Sequence, residues 1–132
     1  MCGGRFINIS FRDFLERLYQ ICLNATPYVF SALKREEYGA KPLQNYTCKL
    51  DFEELVDSDI IIAIPEDSMG VAVELGWASA LHKNIIVILN RKQECSPLVK
   101  NIGHITPGEI VWYEEDIQSI IPIIKEKVNA FT

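Results

Sequence analysis

Glu74, Ser68 and Gly70 are the residues best placed to do chemistry, within the stretch Asp59-Ile-Ile-Ile-Ala-Ile-Pro-Glu-Asp-Ser-Met-Gly-Val-Ala-Val-Glu-Leu-Gly-Trp-Ala78. An unbroken β-branched run ends in a turn from Pro65 to Gly70, and an apolar helix from Val71 to His82 follows directly. Open parallel sheets bind ligands beyond the carboxyl ends of their strands. The free N–H groups of a helix start attract anions, and Ser68 and Gly70 stand beside them as an anion cradle. Glu74 falls about one turn into the helix, where a side chain leans back toward the same crevice. Its neighbours Val71, Val73, Leu75, Ala78 and Leu81 are apolar. A carboxylate there either complements the helix dipole or serves a pocket, and local pattern leaves both readings open. Asp-Ser-x-Gly is also ordinary turn chemistry, so Ser68 and Gly70 carry a purely structural reading too.

Such a turn needs a buried parallel strand before it and a packed helix behind it. Hydrophobic runs alternate with helical patterns along the chain, as in a parallel sheet with crossover helices. Strands are expected at Arg5–Ser10, Tyr28–Leu33, Ile60–Ile64, Asn84–Leu89 and Glu109–Tyr113. The run Ile60–Ile64 predicts burial on both faces. Asp13 to Leu23 sets Phe14, Leu15, Leu18, Tyr19 and Cys22 on one helical face. Leu50 to Ser58 reads as a short helix with Leu50, Leu55 and Phe52 turned inward. Asp116 to Phe131 reads as an amphipathic helix burying Ile117, Ile120, Ile121, Ile124 and Val128, beginning or bending at Pro122. The polar segment Lys34 to Thr47, with Gly39 and Pro42, reads as a functional loop or a broken helix. Within it, Tyr38 and Glu36 fit either a base-reading or a solvent-facing role. The expected fold is a Rossmann-like (flavodoxin-like) α/β three-layer sandwich with a largely parallel central sheet.

A length of 132 residues suits one domain spanning 1–132. Apolar residues make up 48% of the chain, enough for its core. The formal net charge of -5 disfavours a nucleic-acid polymer as partner, while leaving room for a local pocket for one phosphate. Cys2, Cys22, Cys48 and Cys95 are scattered without a C-x-x-C pair and read as free thiols of a reducing cytoplasm. His82 and His104 stand far from other ligand-type residues, so no metal site is expected. Neither a leader nor a long apolar run is visible, which predicts a cytoplasmic protein without a membrane span.

The residues from Asp51 to Leu89 resemble the nucleoside 2-deoxyribosyltransferase-like superfamily. That group includes 2'-deoxynucleoside 5'-monophosphate N-hydrolases and the nucleotide N-glycosidases of nucleoside-antibiotic pathways. The matching features are Asp51 and Asp59 before an apolar strand, then Ser68-x-Gly70, then Glu74-Leu75-Gly76-Trp77-Ala78, then the strand Lys83-Asn84-Ile85-Ile86-Val87-Ile88. The likeness continues more weakly through Arg35-Glu36-Glu37-Tyr38-Gly39 and Cys95-Ser96-Pro97-Leu98.

The resemblance implies that Glu74 faces the anomeric carbon as nucleophile or anionic stabiliser. Breaking a C–N glycosidic bond builds positive charge on the sugar, which a carboxylate beneath it captures or neutralises. Asp51 corresponds to a second carboxylate that orients the nucleophile or helps protonate the departing base, as in two-carboxylate glycosidases. Locally, Asp51 also fits the N-cap of a helix from Phe52 to Asp57. Ser68 and Gly70 would hold the 5' end of the substrate. Ser96 resembles a residue that relatives insert into the neighbouring subunit's site, which implies a homodimer. The N-terminus departs from the pattern. One register puts Ser10 and Arg12 at the end of the first strand as the sugar and phosphate contacts, with a solvated helix start as the plain reading of Arg12. A second register uses Gly3-Gly4-Arg5 and forfeits that strand. Trp77 reads as core or pocket wall, and Glu66 and Asp67 as surface charges that must point away from a phosphate.

The activity so implied is hydrolysis of a nucleoside 5'-monophosphate to free base and sugar phosphate, without cofactor. A base-exchanging deoxyribosyltransferase and a non-catalytic nucleotide-binding module are the alternatives.

Overall fold

Among the described residues, three parallel strands in the order β1-β2-β3 form a sheet, with helices on both of its faces. The computed structural model describes residues 9–26, 28–31, 47–66 and 68–131. Helix α1 spans Ile9–Ala25 and α2 spans Thr47–Asp57. Strand β1 (Ile60–Ala63), helix α3 (Met69–Ala80) and strand β2 (Asn84–Asn90) follow. The short α4 (Pro97–Lys100) leads through a 3₁₀ turn at Ile102–His104 into β3 (Gly108–Tyr113). A second 3₁₀ turn, Ile117–Ile120, runs into α5 (Ile121–Ala130).

The register pairs Ile61 with Ile85 and Ala63 with Val87, then Ile86 with Glu109 and Asn90 with Tyr113. Successive strand residues face opposite sides. Ile86 and Ile88 therefore join Ile64 and Val111 beneath Phe14 and Leu18 of α1 and Ile124 and Val128 of α5. Ile85, Val87 and Leu89 join Ile61 and Ala63 beneath Leu55 of α2 and Val71, Leu75 and Ala78 of α3. Helices α2 and α3 thus share one face, and α1 and α5 the other. This is the three-layer Rossmann-like arrangement that the alternating pattern predicts.

Several boundaries differ from the sequence reading, each for a physical reason. Ile9 and Ser10 open α1 instead of ending a strand; the helical spacing of Phe11, Phe14, Leu15 and Leu18 carries the buried face of α1 back to Phe11. Residues 5–8 of that expected strand lie outside the described residues, as do Gly3, Gly4, Arg35, Glu36, Tyr38 and Asp67. Tyr28–Ser31 is irregular, and Tyr28 is 89% exposed. Ala32 and Leu33 of that expected strand lie outside the described residues. Helix α2 begins three residues earlier than expected, so Asp51 lies inside it and is not its N-cap. Leu55 points inward as predicted, whereas Leu50 and Phe52 are each 40% exposed. In β1, Ile61 and Ala63 are buried while Ile60 and Ile62 are only partly so. The five apolar residues expected at the C-terminus, Ile117 through Val128, are all buried, and α5 starts at Pro122 and its neighbour.

Candidate active site

Parallel pairing puts the carboxyl ends of all three strands on one edge of the sheet. The turn after β1 is closed by the Ser68 N–H donating to the Pro65 carbonyl (2.8 Å). Glu66 takes φ 44° inside it, a left-handed conformation uncommon outside glycine. Ser68 is the N-cap of α3. Its Oγ accepts from the Val71 N–H (3.3 Å) and its carbonyl from the Ala72 N–H (3.2 Å). The capping hydroxyl keeps its own proton to donate. Met69 and Gly70 occupy the first two helical positions, where an N–H has no acceptor within the helix. A Cβ on Gly70 would meet only the Ser68 Oγ, at 3.7 Å. Packing among the described residues therefore does not demand this glycine. Its effect is to leave the backbone N–H groups uncovered.

Glu74 lies six residues beyond Ser68 on α3, about 9 Å along the axis. It is partly buried, with its Oε2 oxygen shielded from solvent, and it is engaged by a further interaction. Val71 and Ala78, one turn to either side on the same face, are buried. The helix dipole acts on charges within the first turn, and Glu74 is past it. The dipole alone therefore does not account for this carboxylate.

Asp51 is half-buried in α2, one turn before Leu55. Leu55 packs in the same core cluster as Val71, Leu75 and Ala78, so α2 lies against α3 on the Asp51 side. An edge-to-face contact of Phe52 with Trp77 joins the two helices, with centroids 5.3 Å apart and planes at 86°. Phe52 directly follows Asp51, and Trp77 stands one turn beyond Glu74. From sequence, Trp77 reads as core or pocket wall and Phe52 as core. Their adjacency to the two carboxylates along the chain was the available signal that they share a task.

Ser96 follows β2 on the same sheet edge and caps α4, its Oγ accepting from the Leu98 N–H (3.2 Å). Ser96 is exposed, and Leu98 beside it is 83% exposed. The loop that presents Ser96 is tied to the end of β3. The Arg91 N–H donates to the Tyr113 carbonyl (2.8 Å), and the Arg91 guanidinium lies 5.3 Å from the Trp112 ring centre. Lys92 pairs with Glu115, and its N–H donates to Asn90 Oδ1 (2.9 Å). Burial pushes the Cys95 thiol up, against smaller opposing effects of Lys100 and the Ser96 backbone.

Ser10 and Arg12 stand elsewhere. Both are exposed in the first turns of α1, which covers the sheet face opposite α3. The Ser10 carbonyl accepts from Gln118 Nε2 (3.0 Å), beyond the end of β3. Ser68, Gly70, Glu74 and Asp51 thus stand on α2 and α3 over one sheet face and Ser96 on the carboxyl edge, while Ser10 and Arg12 stand on α1 over the other face, with Ser10 held at Gln118 past the carboxyl end of β3. A shallow depression of about 240 Å³, open to solvent, lies between Glu66 and the ends of β2 and β3 at Asn90, Cys95 and Tyr113. None of the sequence-predicted site residues lines it. Among the described residues, no group of three or more His, Cys, Asp or Glu could hold a metal ion, and no helix is long and apolar enough to cross a membrane.

The fold has a solved counterpart in a CMP N-glycosidase of Clostridium botulinum, with a TM-score of 0.62 over 98% of this chain and 95% of that one, at 20% identity. No curated protein matches the chain. The sequence profile described as Nucleoside 2-deoxyribosyltransferase matches residues 1–119. That match spans the Ser68-x-Gly70 turn, both carboxylates and Ser96, and the chain belongs to the nucleoside 2-deoxyribosyltransferase family, whose enzymes are of the glycosyl-transferring or glycoside-hydrolysing type.

Proposed function

We propose that this protein hydrolyses the N-glycosidic bond of a nucleoside 5'-monophosphate, giving free base and sugar phosphate. The observation that carries the reading is the partly buried Glu74, on the inner side of α3 and beyond the reach of the helix dipole, behind a helix start capped by Ser68. Family membership and the named activity of the Clostridium botulinum counterpart support the same chemistry.

In this mechanism the Ser68 hydroxyl and the Met69 and Gly70 N–H groups hold the phosphate. Glu74 donates an electron pair to the anomeric carbon, or neutralises its developing charge, as the C–N bond breaks. The bonding pair leaves with the base, which takes up a proton, and Asp51 orients Glu74 or relays that proton. Water then adds to the anomeric carbon and gives a proton to Asp51 or to solvent; where a Glu74–sugar C–O bond had formed, it breaks with its electron pair returning to the Glu74 carboxylate. Arg12 and Ser10, across the sheet, are the least supported members of the site.

A homodimer in which Ser96 of each copy reaches the other's site is part of the proposal, with residues 1–132 as one functional domain. It is supported by the exposure of Ser96 and by apolar side chains on the outer side of α2 and α3, among them Val56, Met69 and Val73. A cytoplasmic setting belongs to it as well, supported by the free thiols of Cys22, Cys48 and Cys95.

The test is a panel of nucleosides and nucleoside 5'-monophosphates incubated with the protein, with free base read by chromatography. Monophosphates should be cleaved and free nucleosides should not. Exchange of an added base without net hydrolysis would instead identify a transferase. Nucleotide binding that Glu74→Ala leaves intact, with no turnover by either form, would leave only a binding module.

A further inference from the structure

We infer that the edge-to-face pair of Phe52 and Trp77 is a positioning device that fixes how far the Asp51 carboxylate stands from that of Glu74. The inference rests on the reading of these two carboxylates as the reacting pair. Two helices carry them, each carboxylate has a further interaction of its own, and three contacts of these helices bear on their spacing. The first is aliphatic, Leu55 of α2 in one cluster with Val71, Leu75 and Ala78 of α3. Such contacts bury area without selecting an angle. The second is the Lys83 ammonium, which donates to the Val56 carbonyl (2.7 Å) at the far end of α2 from Asp51. The third is the aromatic pair, at 5.3 Å and 86°, and it is the one with a preferred geometry.

Its location matches the task. On a helical wheel Asp51 and Phe52 flank the buried Leu55 on either side, so the helix rotation that places one places the other. Trp77 is one turn from Glu74 on α3 and partly buried like it. Phe52 is 40% exposed, so the pair lies at the rim of the helix interface and not deep within it. An aromatic needed only to fill the core would be enclosed. One at the rim, directly beside a site carboxylate, acts chiefly on orientation. The consequence is kinetic, because displacing a reacting group by about 1 Å can cost on the order of 10²-fold in rate.

Phe52→Leu keeps an apolar side chain and removes the ring edge, while Phe52→Tyr keeps the ring. Both are compared with Glu74→Ala, Asp51→Asn and a control, Ile123→Ala, which trims a half-exposed residue of α5 on the other sheet face. Kinetics on whichever monophosphate the wild type cleaves should show kcat lowered about tenfold in Phe52→Leu with KM within about twofold. Phe52→Tyr should return kcat to near the wild-type value, and Ile123→Ala should leave it unchanged at a comparable loss of Tm. If Phe52→Leu proves insoluble, Trp77→Phe reads the same coupling from the other helix. Unchanged kcat in Phe52→Leu, or a loss no larger than the control's, overturns the inference while Glu74→Ala and Asp51→Asn remain inactive. If those two variants retain full turnover, the reading of the reacting pair fails instead.

Discussion

Glu74 stands on a helix face that otherwise goes into the core, and that placement has a cost in stability that a surface carboxylate would not carry. Replacing it with an isosteric amide separates structure from chemistry. Glu74→Gln should fold with an unchanged or raised Tm and lose turnover by at least about 10³-fold, because the proposed mechanism sets that charge against the sugar cation. Retained turnover in a well-folded Glu74→Gln would remove this residue from the mechanism. Ser68 differs, because it caps α3 in addition to the phosphate contact proposed for it. Ser68→Ala removes the N-cap acceptor from the Val71 N–H and should cost about 1 kcal/mol of stability. It should also raise KM for a monophosphate much more than for the matching free nucleoside. Equal effects on both would confine Ser68 to capping. Thiol chemistry gives a third readout, since burial raises the thiols of Cys22 and Cys95 while Cys48 is exposed. Alkylation near pH 8 should mark Cys48 well ahead of the other two, as peptide mapping would report.

Element by element, the chain shows what a sequence can and cannot disclose. Strands β1, β2 and β3 were legible to within about two residues, because β-branched runs buried on a sheet leave no other explanation. The turn carrying Ser68 and Gly70 and the helix carrying Glu74 were legible for the same reason, as they follow β1 directly. Tyr28–Ser31 has strand-forming residues too, yet its backbone is irregular, and propensity alone did not suffice. The start of α2 was hidden because Thr47-Cys48-Lys49 carries no apolar stripe. That hid the interior position of Asp51. The Phe52–Trp77 contact joins separate elements and has no local signature, so only the fold reveals it.

One helix end was also beyond local pattern. The Lys83 N–H donates to the Ala78 carbonyl (3.0 Å) and the His82 N–H to the Ser79 carbonyl (3.1 Å), a Schellman closure of α3 with His82 at φ 53°. Glycine is the usual residue at that position. His82→Gly relieves the left-handed strain but adds freedom to the unfolded chain. The net effect should be a gain of about 0.5–1 kcal/mol, seen as a higher urea midpoint at unchanged slope. A lower midpoint would mean that the imidazole makes a contact worth more than the strain.

At the scale of the whole molecule, the parallel register puts Ser68 and Ser96 on one edge of one sheet, each capping the helix that leaves it. Within one copy, though, the Ser96 loop is tied toward β3, away from α2, and its hydroxyl region is exposed. A site completed by a second copy accounts for both facts, and subunit mixing tests it. Glu74→Ala lacks the carboxylate, and Ser96→Asp would set a negative charge against the partner's bound phosphate. Each variant alone should be inactive. In a mixed dimer, one site draws its glutamate from the Ser96→Asp chain and its serine from the Glu74→Ala chain, and that site is intact. Random pairing makes half of the dimers mixed, with one working site in two, so an equimolar mixture exchanged to equilibrium should regain about one quarter of wild-type activity. If Ser96 serves the site of its own chain, every site in the mixture carries a lesion and activity stays at the level of the separate variants. A Val73→Asp change on the apolar outer side of α3 should prevent the recovery if that side holds the copies together. The same variant should sediment as a monomer, whereas a dimer that survives Val73→Asp would move the interface to another face while leaving the shared site in place.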